Sequence, residues 1–245
     1  MSKMDKNNDK DYNELIKKSI LFSKQNNLSS AKNFLEKAIS LNPSKSLSYI
    51  NLSNIYLLEK NLKLSLKILN NYLEKYNFNL DVVNHLGKIC INFDLFDELI
   101  SLKKNLFKNK NINNNFYYIY FLFGIAHEKK EEFFDAIESY KISIKYNKTF
   151  TENYLNLCNL YEKTNKINEL EKTIKKAKVN CIPDPRIDYF FSLLNHREKK
   201  YSISQSLIEN TKLEEKLISH NLYYSNLLDL KFKNFEKLNF FKKAF

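Results

Sequence analysis

The chain has 245 residues with only two glycines, three prolines and no tryptophan, and it carries 40 basic and 28 acidic residues. A dinucleotide-binding turn or a phosphate-binding P-loop needs several glycines in one short segment. Because Gly87 and Gly124 lie far apart in the sequence, the chain contains neither motif. A hairpin-rich β sandwich or barrel is disfavoured for the same reason, so the composition favours an all-α fold.

The net charge of +12 comes almost entirely from lysine, because Arg186 and Arg197 are the two arginines of the chain. Recognition of phosphate with defined geometry relies on the bidentate arginine fork. Lysine, asparagine, isoleucine, phenylalanine and tyrosine all have A/T-rich codons, so an AT-rich genome accounts for the bias. We therefore expect a basic but solvated helical surface, and an RNA-binding helical repeat stays as a lesser alternative.

Cysteine usage and hydropathy indicate the compartment. Cys90, Cys158 and Cys181 are odd in number and lack metal-ligand spacing, which predicts reduced thiols and neither a disulfide framework nor a metal site. The N-terminus has no secretory signal pattern, and the apolar run 116–126 is shorter than the ~20 residues of a membrane-spanning helix. We expect a cytoplasmic protein without membrane contact or cofactor.

In chain order, residues 1–11 are polar and predict a disordered tail. From Tyr12 onwards, apolar and small residues recur with a period of 34, starting with Leu15, Phe22, Ala31, Leu35, Ala38 and Pro43. The pattern predicts repeats starting near residues 12, 46, 80, 117, 151 and 185, and a partial seventh near 218. An asparagine-rich insert, 108–115, predicts an extended loop between the third and fourth repeats.

One column of this alignment holds only small residues. Position 8 of the six repeats is occupied by Ser19, Ser53, Gly87, Gly124, Cys158 and Ser192. A small side chain is needed where two antiparallel helices cross closely, and we expect a second small residue to face it from position 20. Each repeat is therefore predicted to be a pair of helices, A and B.

This pattern resembles the tetratricopeptide repeat. The resemblance implies an all-α, right-handed superhelix of about six helix pairs plus a partial seventh, because one pair cannot bury its own apolar face. It also implies that the A helices line a concave surface, through repeat positions 2, 5, 6, 9, 12 and 13, and that this surface binds a protein or peptide.

Polar residues at those positions are the predicted partner-binding residues. They are Asn51, Asn54, Asn84, Lys88, Asn156, Asn159, Arg186 and Arg197. Asparagine suits a peptide backbone because its amide donates and accepts hydrogen bonds at once. A merely solvated polar face explains the same residues, and the sequence leaves both interpretations open.

No catalytic residue is predicted, since the four histidines lie in different repeats and no nucleophile has a base beside it. The last residues, 240–245, fall inside a repeat, and we expect a further domain, a partner or a second copy to cover the apolar face there. Residues 193–245 also resemble, through Leu194, Arg197 and Glu198, the segment preceding the catalytic domain of bacterial tetratricopeptide-repeat sulfotransferases. That resemblance implies an alternative, the N-terminal region of a longer transferase.

Overall fold

The computed structural model describes residues 3–76, 78–103, 116–210, 213–217 and 220–244. This part of the chain contains fourteen α-helices and no β-strand, which confirms the all-α prediction. No helix in it combines the length and the apolar content needed to cross a membrane. The predicted asparagine-rich loop 108–115 lies outside the described residues, as does residue 218.

The chain divides into two compact modules, Met1–Ile112 and Asn113–Phe245, named here the N-module and the C-module. In the N-module, three consecutive helix pairs pack within and between repeats. These pairs are α1 (Lys3–Lys24) with α2 (Leu28–Leu41), α3 (Ser46–Leu58) with α4 (Leu62–Tyr76), and α5 (Leu80–Asn92) with α6 (Phe96–Ser101).

The C-module continues the same arrangement and ends differently. Its pairs are α7 (Tyr117–Lys129) with α8 (Phe133–Tyr146), α9 (Thr151–Lys163) with α10 (Ile167–Asn180), and α11 (Pro185–Arg197) with α12 (Tyr201–Asn210), followed by α13 (Leu213–Leu217) and α14 (Asn221–Ala244). The A helices of repeats two to six begin at the residues where the sequence pattern starts those repeats.

Each module has its own apolar core. Tyr12, Ile16, Leu35 and Leu52 belong to the N-module core, and a larger cluster fills the C-module from Ala136 to Leu230. Tyrosines at the repeat positions that pack between helices contribute to these cores: Tyr49, Tyr120, Tyr140, Tyr154 and Tyr161 are buried, and Tyr56 is partly buried against the N-module core.

The same turn joins helix A to helix B in all six repeats. The residue at position 15 has a positive φ between 54° and 62° in each, at Asn26, Lys60, Asp94, Glu131, Asn165 and Lys199. The N–H that follows donates back into the helix, as from Glu132 to the His127 carbonyl at 2.8 Å. This is a Schellman C-cap. None of the six is glycine, so the packed helices hold the turn against the cost of a left-handed conformation.

Asparagine begins several of the helices. The side-chain oxygens of Asn27, Asn61 and Asn79 accept backbone N–H bonds from Ser30, Leu64 and Val82 at 3.0–3.1 Å. Each bond satisfies one of the N–H groups that the first turn of a helix leaves without a partner. Part of the asparagine abundance therefore has a structural use.

The small residues of position 8 are all buried. The Ser53 and Ser65 hydroxyls lie 2.6 Å apart across the α3–α4 crossing, and the Ser204 hydroxyl donates to the Ser192 carbonyl at 2.9 Å. Positions 8 and 20 thus meet as predicted. At Gly124 the closest neighbour is different, because a Cβ there would lie 2.4 Å from the ring of Tyr140, at position 24.

The structure corrects the predicted disordered tail. Residues 3–11 form the first turns of α1, and Asp9 pairs with Lys45 at 2.7 Å. Directly after them, the buried Tyr12 hydroxyl accepts the N–H of Ser48 at 3.1 Å. Polarity alone suggested disorder, whereas this segment contains neither proline nor glycine and is anchored to the start of α3.

The predicted partial seventh helix pair is corrected as well. The single helix α14 runs from Asn221 to Ala244 without a turn and buries Leu227, Leu230 and Asn234. Position 15 of a seventh repeat would be Phe232. A bulky residue adopts a positive φ only at high cost, unlike the polar residues of the other six turns, so the helix continues.

Candidate functional site

The predicted partner-binding residues fall into two groups, one in each module. Asn51 and Asn54 lie on α3, and Asn84 and Lys88 lie on α5 of the N-module. Asn156 and Asn159 lie on α9 of the C-module, whereas Arg186 and Arg197 lie on α11. We call the side of each module that carries these residues its helix-A face.

On the N-module face, buried polar atoms lack partners. The Nδ2 atom of Asn51, the Oδ1 atom of Asn84 and the Nε2 atom of His85 are all buried and make no hydrogen bond to the described residues. The helices that carry them, α3 and α5, pack against each other. An unsatisfied buried polar group costs ~1–3 kcal/mol. The A helices of the C-module also carry such atoms, Nε2 of His127, Oδ1 of Asn153 and the Ser192 hydroxyl, but none of these belongs to a predicted partner-binding residue.

Asn51 and Asn54 also line a small cavity of about 160 Å³. Helix α1 contributes Ser19 and Ile20 to it, and Leu35 of α2 contributes an apolar wall. The unpartnered amide of Asn51 therefore lies beside a void between neighbouring A helices, with room for a small group of a ligand.

His85 is neutral at physiological pH. Burial lowers the pKa of its imidazole, and the nearby charge of Lys88 lowers the pKa further. A neutral imidazole carries one hydrogen and one free lone pair, so His85 adds either a donor or an acceptor to this face, without charge.

On the C-module face, the equivalent asparagines are already bonded. Asn156 donates from Nδ2 to the Tyr140 hydroxyl at 3.0 Å, and that hydroxyl donates to Glu128 at 2.9 Å. Burial first and Glu128 second raise the pKa of Tyr140, so the hydroxyl stays a donor. Asn159 donates to the Tyr223 hydroxyl at 3.3 Å.

Both arginines are engaged in ion pairs between repeats five and six. Arg186 bonds to Glu152 at 2.8 Å and to Asp184 at 2.7 Å, and Arg197 pairs with Glu162. Burial would raise the pKa of Asp184, but the hydrogen bonds and the charge of Arg186 more than offset it and lower that pKa. The main role of both arginines in this structure is therefore to link repeat six to repeat five through ion pairs.

Helix α14 contributes to the C-module face. Tyr223 packs edge-on against Tyr189 and Phe190, and His196 bonds through Nδ1 to Asn234 at 2.7 Å. Beside these contacts lies a cavity of about 490 Å³ between α11 and α14, bordered by Arg197 among others. On α14 itself, Leu228, Phe232 and Phe235 remain exposed.

Comparison with known proteins adds the following. No protein-family model matches the chain, and neither does any curated protein sequence. Among solved structures, PilF of Pseudomonas aeruginosa is 16% identical over 91% of this chain and 99% of that chain, with a TM-score of 0.67. PilW, a type IV pilus biogenesis factor, is 13% identical over 89% and 98%, with a TM-score of 0.61. MamA is 17% identical over 66% and 93%, with a TM-score of 0.53.

The consecutive helix pairs and the structural matches agree on the fold of the chain. The chain has the tetratricopeptide-repeat fold. At these identities the similarity concerns the fold alone. The three matched proteins lend no support to a sulfotransferase relationship, which stays a prediction.

Within this tetratricopeptide fold, the sequence analysis did not predict Tyr140 and Tyr223 as partners of Asn156 and Asn159, or Asn234 as the partner of His196 on α11. The contacts to Tyr140 and Asn234 join side chains 16 and 38 positions apart. Only Tyr140 left a usable signal, because a tyrosine hydroxyl inside an apolar column needs a hydrogen-bond partner.

A cluster of His127, Glu132 and Asp135 has its ligand atoms within 4.8 Å of one another. Nδ1 of His127 lies 2.6 Å from a Glu132 carboxylate oxygen, and the pKa of Glu132 is lowered by that bond and by Lys130. The imidazole of His127 is buried. The pair therefore ties the end of α7 to the start of α8.

Proposed function

We propose that the chain is a non-enzymatic scaffold that binds a protein or peptide through its helix-A face, and that the N-module carries the main binding site. The fold supports this proposal, because stacked helix pairs present extended surfaces to partners. A cytoplasmic location stays a prediction.

The observation that carries the proposal is the set of unpartnered polar atoms on α3 and α5. Nδ2 of Asn51 is a donor and Oδ1 of Asn84 is an acceptor, and both are buried without a partner among the described residues. An extended peptide backbone offers carbonyl acceptors and N–H donors, so it satisfies both amides once each half-buried side chain rotates its buried atom toward the ligand. Neutral His85 adds a third group.

The C-module argues for this choice by contrast. Asn156 and Asn159 already bond to tyrosine hydroxyls, and Arg186 and Arg197 are paired with glutamates. A ligand would have to replace those contacts before gaining its own, whereas Nδ2 of Asn51 and Oδ1 of Asn84 have no bond to the described residues that must first be broken.

The test uses peptides selected on the intact chain from a displayed random library, with affinities measured by fluorescence polarisation. The variant Asn51→Ala with Asn84→Ala removes both amides. Its matched control, Asn70→Ala with Asn71→Ala, makes the same chemical change at exposed positions of α4. Circular dichroism verifies that both variants remain helical.

We expect the face variant to weaken peptide binding ~tenfold or more, which corresponds to ~1.4 kcal/mol, and the control to bind as the parent does. If the two variants bind the selected peptides equally well, or if no selected peptide binds the parent, the proposal is wrong.

A further inference from the structure

A second groove lies between α8 and α10, the B helices of repeats four and five. Its volume is about 570 Å³, and Ile144, Leu157 and Tyr161 form its apolar floor. Leu157 and Tyr161 are almost fully buried and Ile144 is half-buried. None of the eight predicted partner-binding residues lines this groove, so it is separate from the helix-A face.

The rim of this groove is strongly basic. Five lysines and one acidic residue line it: Lys141, Lys145, Lys148, Lys172, Lys176 and Glu169. Lys141 pairs with Glu138 at 2.9 Å on its own helix. The other four lysines form no ion pair within the part of the chain that the structure describes.

Lysines of the same helix behave differently outside the groove. On α10, Lys175 pairs with Glu171 at 2.5 Å and Lys178 pairs with Asp188 at 2.9 Å, and neither lines the groove. Lys172 and Lys176, which do, are spaced four residues apart. Like charges at this spacing destabilise a helix, so an acidic ligand would relieve repulsion as well as gain attraction.

We propose that this groove is a docking site for an acidic segment of a partner protein that also carries apolar side chains. The acidic side chains pair with the lysines of α8 and α10. An aliphatic or aromatic side chain of the same segment packs on Ile144, the half-buried residue of the apolar floor. Charge complementarity sets the choice of partner, and apolar contact with the floor adds affinity.

The floor favours a peptide over a nucleic acid. Bases bind non-specifically by stacking on exposed aromatic faces, but Tyr154 and Tyr161 are only 1% and 4% exposed. Arginine, which binds phosphate in a bidentate manner, is missing from the groove lining, and both arginines of the chain are paired elsewhere in the C-module.

The experiment titrates the full chain with a labelled peptide of aspartate and glutamate that carries leucine and phenylalanine. A second peptide replaces those apolar residues by serine, and a single-stranded RNA oligonucleotide serves as a third probe. The groove variant is Lys172→Gln with Lys176→Gln. Its matched control, Lys175→Gln with Lys178→Gln, removes the same charge from the same helix outside the groove.

We expect the groove variant to bind the first peptide ~tenfold more weakly than the parent does, and the control to stay within ~twofold. The serine peptide should bind more weakly than the first, whereas the Asn51→Ala, Asn84→Ala variant should bind the first peptide as the parent does. Equal losses in the two lysine variants, or no peptide binding, would overturn the proposal. So would RNA binding that the groove variant abolishes while the peptide does not bind.

Discussion

Asn51 and Asn156 occupy the same repeat position in the two modules, yet their amides differ in one decisive respect. Asn156 bonds to the hydroxyl of Tyr140, whereas Nδ2 of Asn51 has no partner among the described residues and borders a cavity that Leu35 also lines. Tyr140 and Leu35 are themselves equivalent, at position 24 of the preceding repeat. In these two cases, the residue at position 24 therefore decides whether the Nδ2 atom of the next repeat's asparagine is bonded.

Position 8 of repeat four also differs from position 8 of repeats one and two. Ser19 and Ser53 accompany leucine at position 24, at Leu35 and Leu69, whereas Gly124 accompanies Tyr140. The ring of Tyr140 occupies the space where a side chain at residue 124 would begin. In repeat four, glycine is thus required by tyrosine, and the helix crossing alone does not demand it.

The largest effect is expected from Gly124→Ala. The new methyl group would lie 2.4 Å from the ring of the fully buried Tyr140, and we expect a loss of ~1–3 kcal/mol in the free energy of unfolding, measured by urea denaturation. In a Tyr140→Leu background, where leucine stands at position 24 as in repeats one and two, most of the cost of Gly124→Ala should disappear. A cost of Gly124→Ala that is the same in the parent and in the Tyr140→Leu background would contradict the assigned contact.

Tyr140→Phe tests the bonded amide itself. Removing the hydroxyl leaves Asn156 and Glu128 without this partner, so we expect a loss of ~1–2 kcal/mol at neutral pH. Because the folded state raises the pKa of Tyr140 above its ordinary value near 10.0, the stability from its neutral hydroxyl is present below that pH and is lost as the pH rises above it. Thermal melts at increasing pH should therefore fall less steeply in Tyr140→Phe than in the parent.

Asn51→Leu and Asn156→Leu should change stability in opposite directions. The first removes an unsatisfied buried donor next to a cavity, for an expected gain of ~1 kcal/mol, and the second removes a bonded one, for a loss of ~1 kcal/mol. Paired urea denaturation curves measure both. The same sign for the two variants would mean that the modules do not differ as described.

The smallest effect should be the same in both modules. Lys60→Gly and Glu131→Gly place glycine at the positive-φ position of equivalent turns, and each should raise the free energy of unfolding by up to ~1 kcal/mol. Melting temperatures of the two variants check this. A gain in one module alone would show that the shared turn is under different strain in the two.

Local patterns and long-range contacts were not equally predictable. The starts of the A helices and the buried column at position 8 follow from spacing, because short-range periodicity determines which side chains face a neighbouring helix. Whether the amide of Asn156 is hydrogen-bonded depends on the Tyr140 hydroxyl of the preceding repeat. A general repeat pattern does not specify that hydroxyl, so the bond could not be predicted. The uninterrupted helix α14 follows from Phe232, which stands where the other repeats have a polar residue with positive φ. The repeat pattern alone does not state this requirement, because the backbone conformation of position 15 is known only from the structure.

The pairs made by Arg186 and Arg197 reach back 34 and 35 residues, the length of one repeat. Removing repeat six would leave Glu152 and Glu162 without their arginine partners, and it would expose to solvent the apolar side of α9 and α10. In any truncation series of this chain, repeats five and six are therefore best kept or removed together. The smallest part of the C-module that keeps these ion pairs is therefore a pair of repeats and not a single repeat.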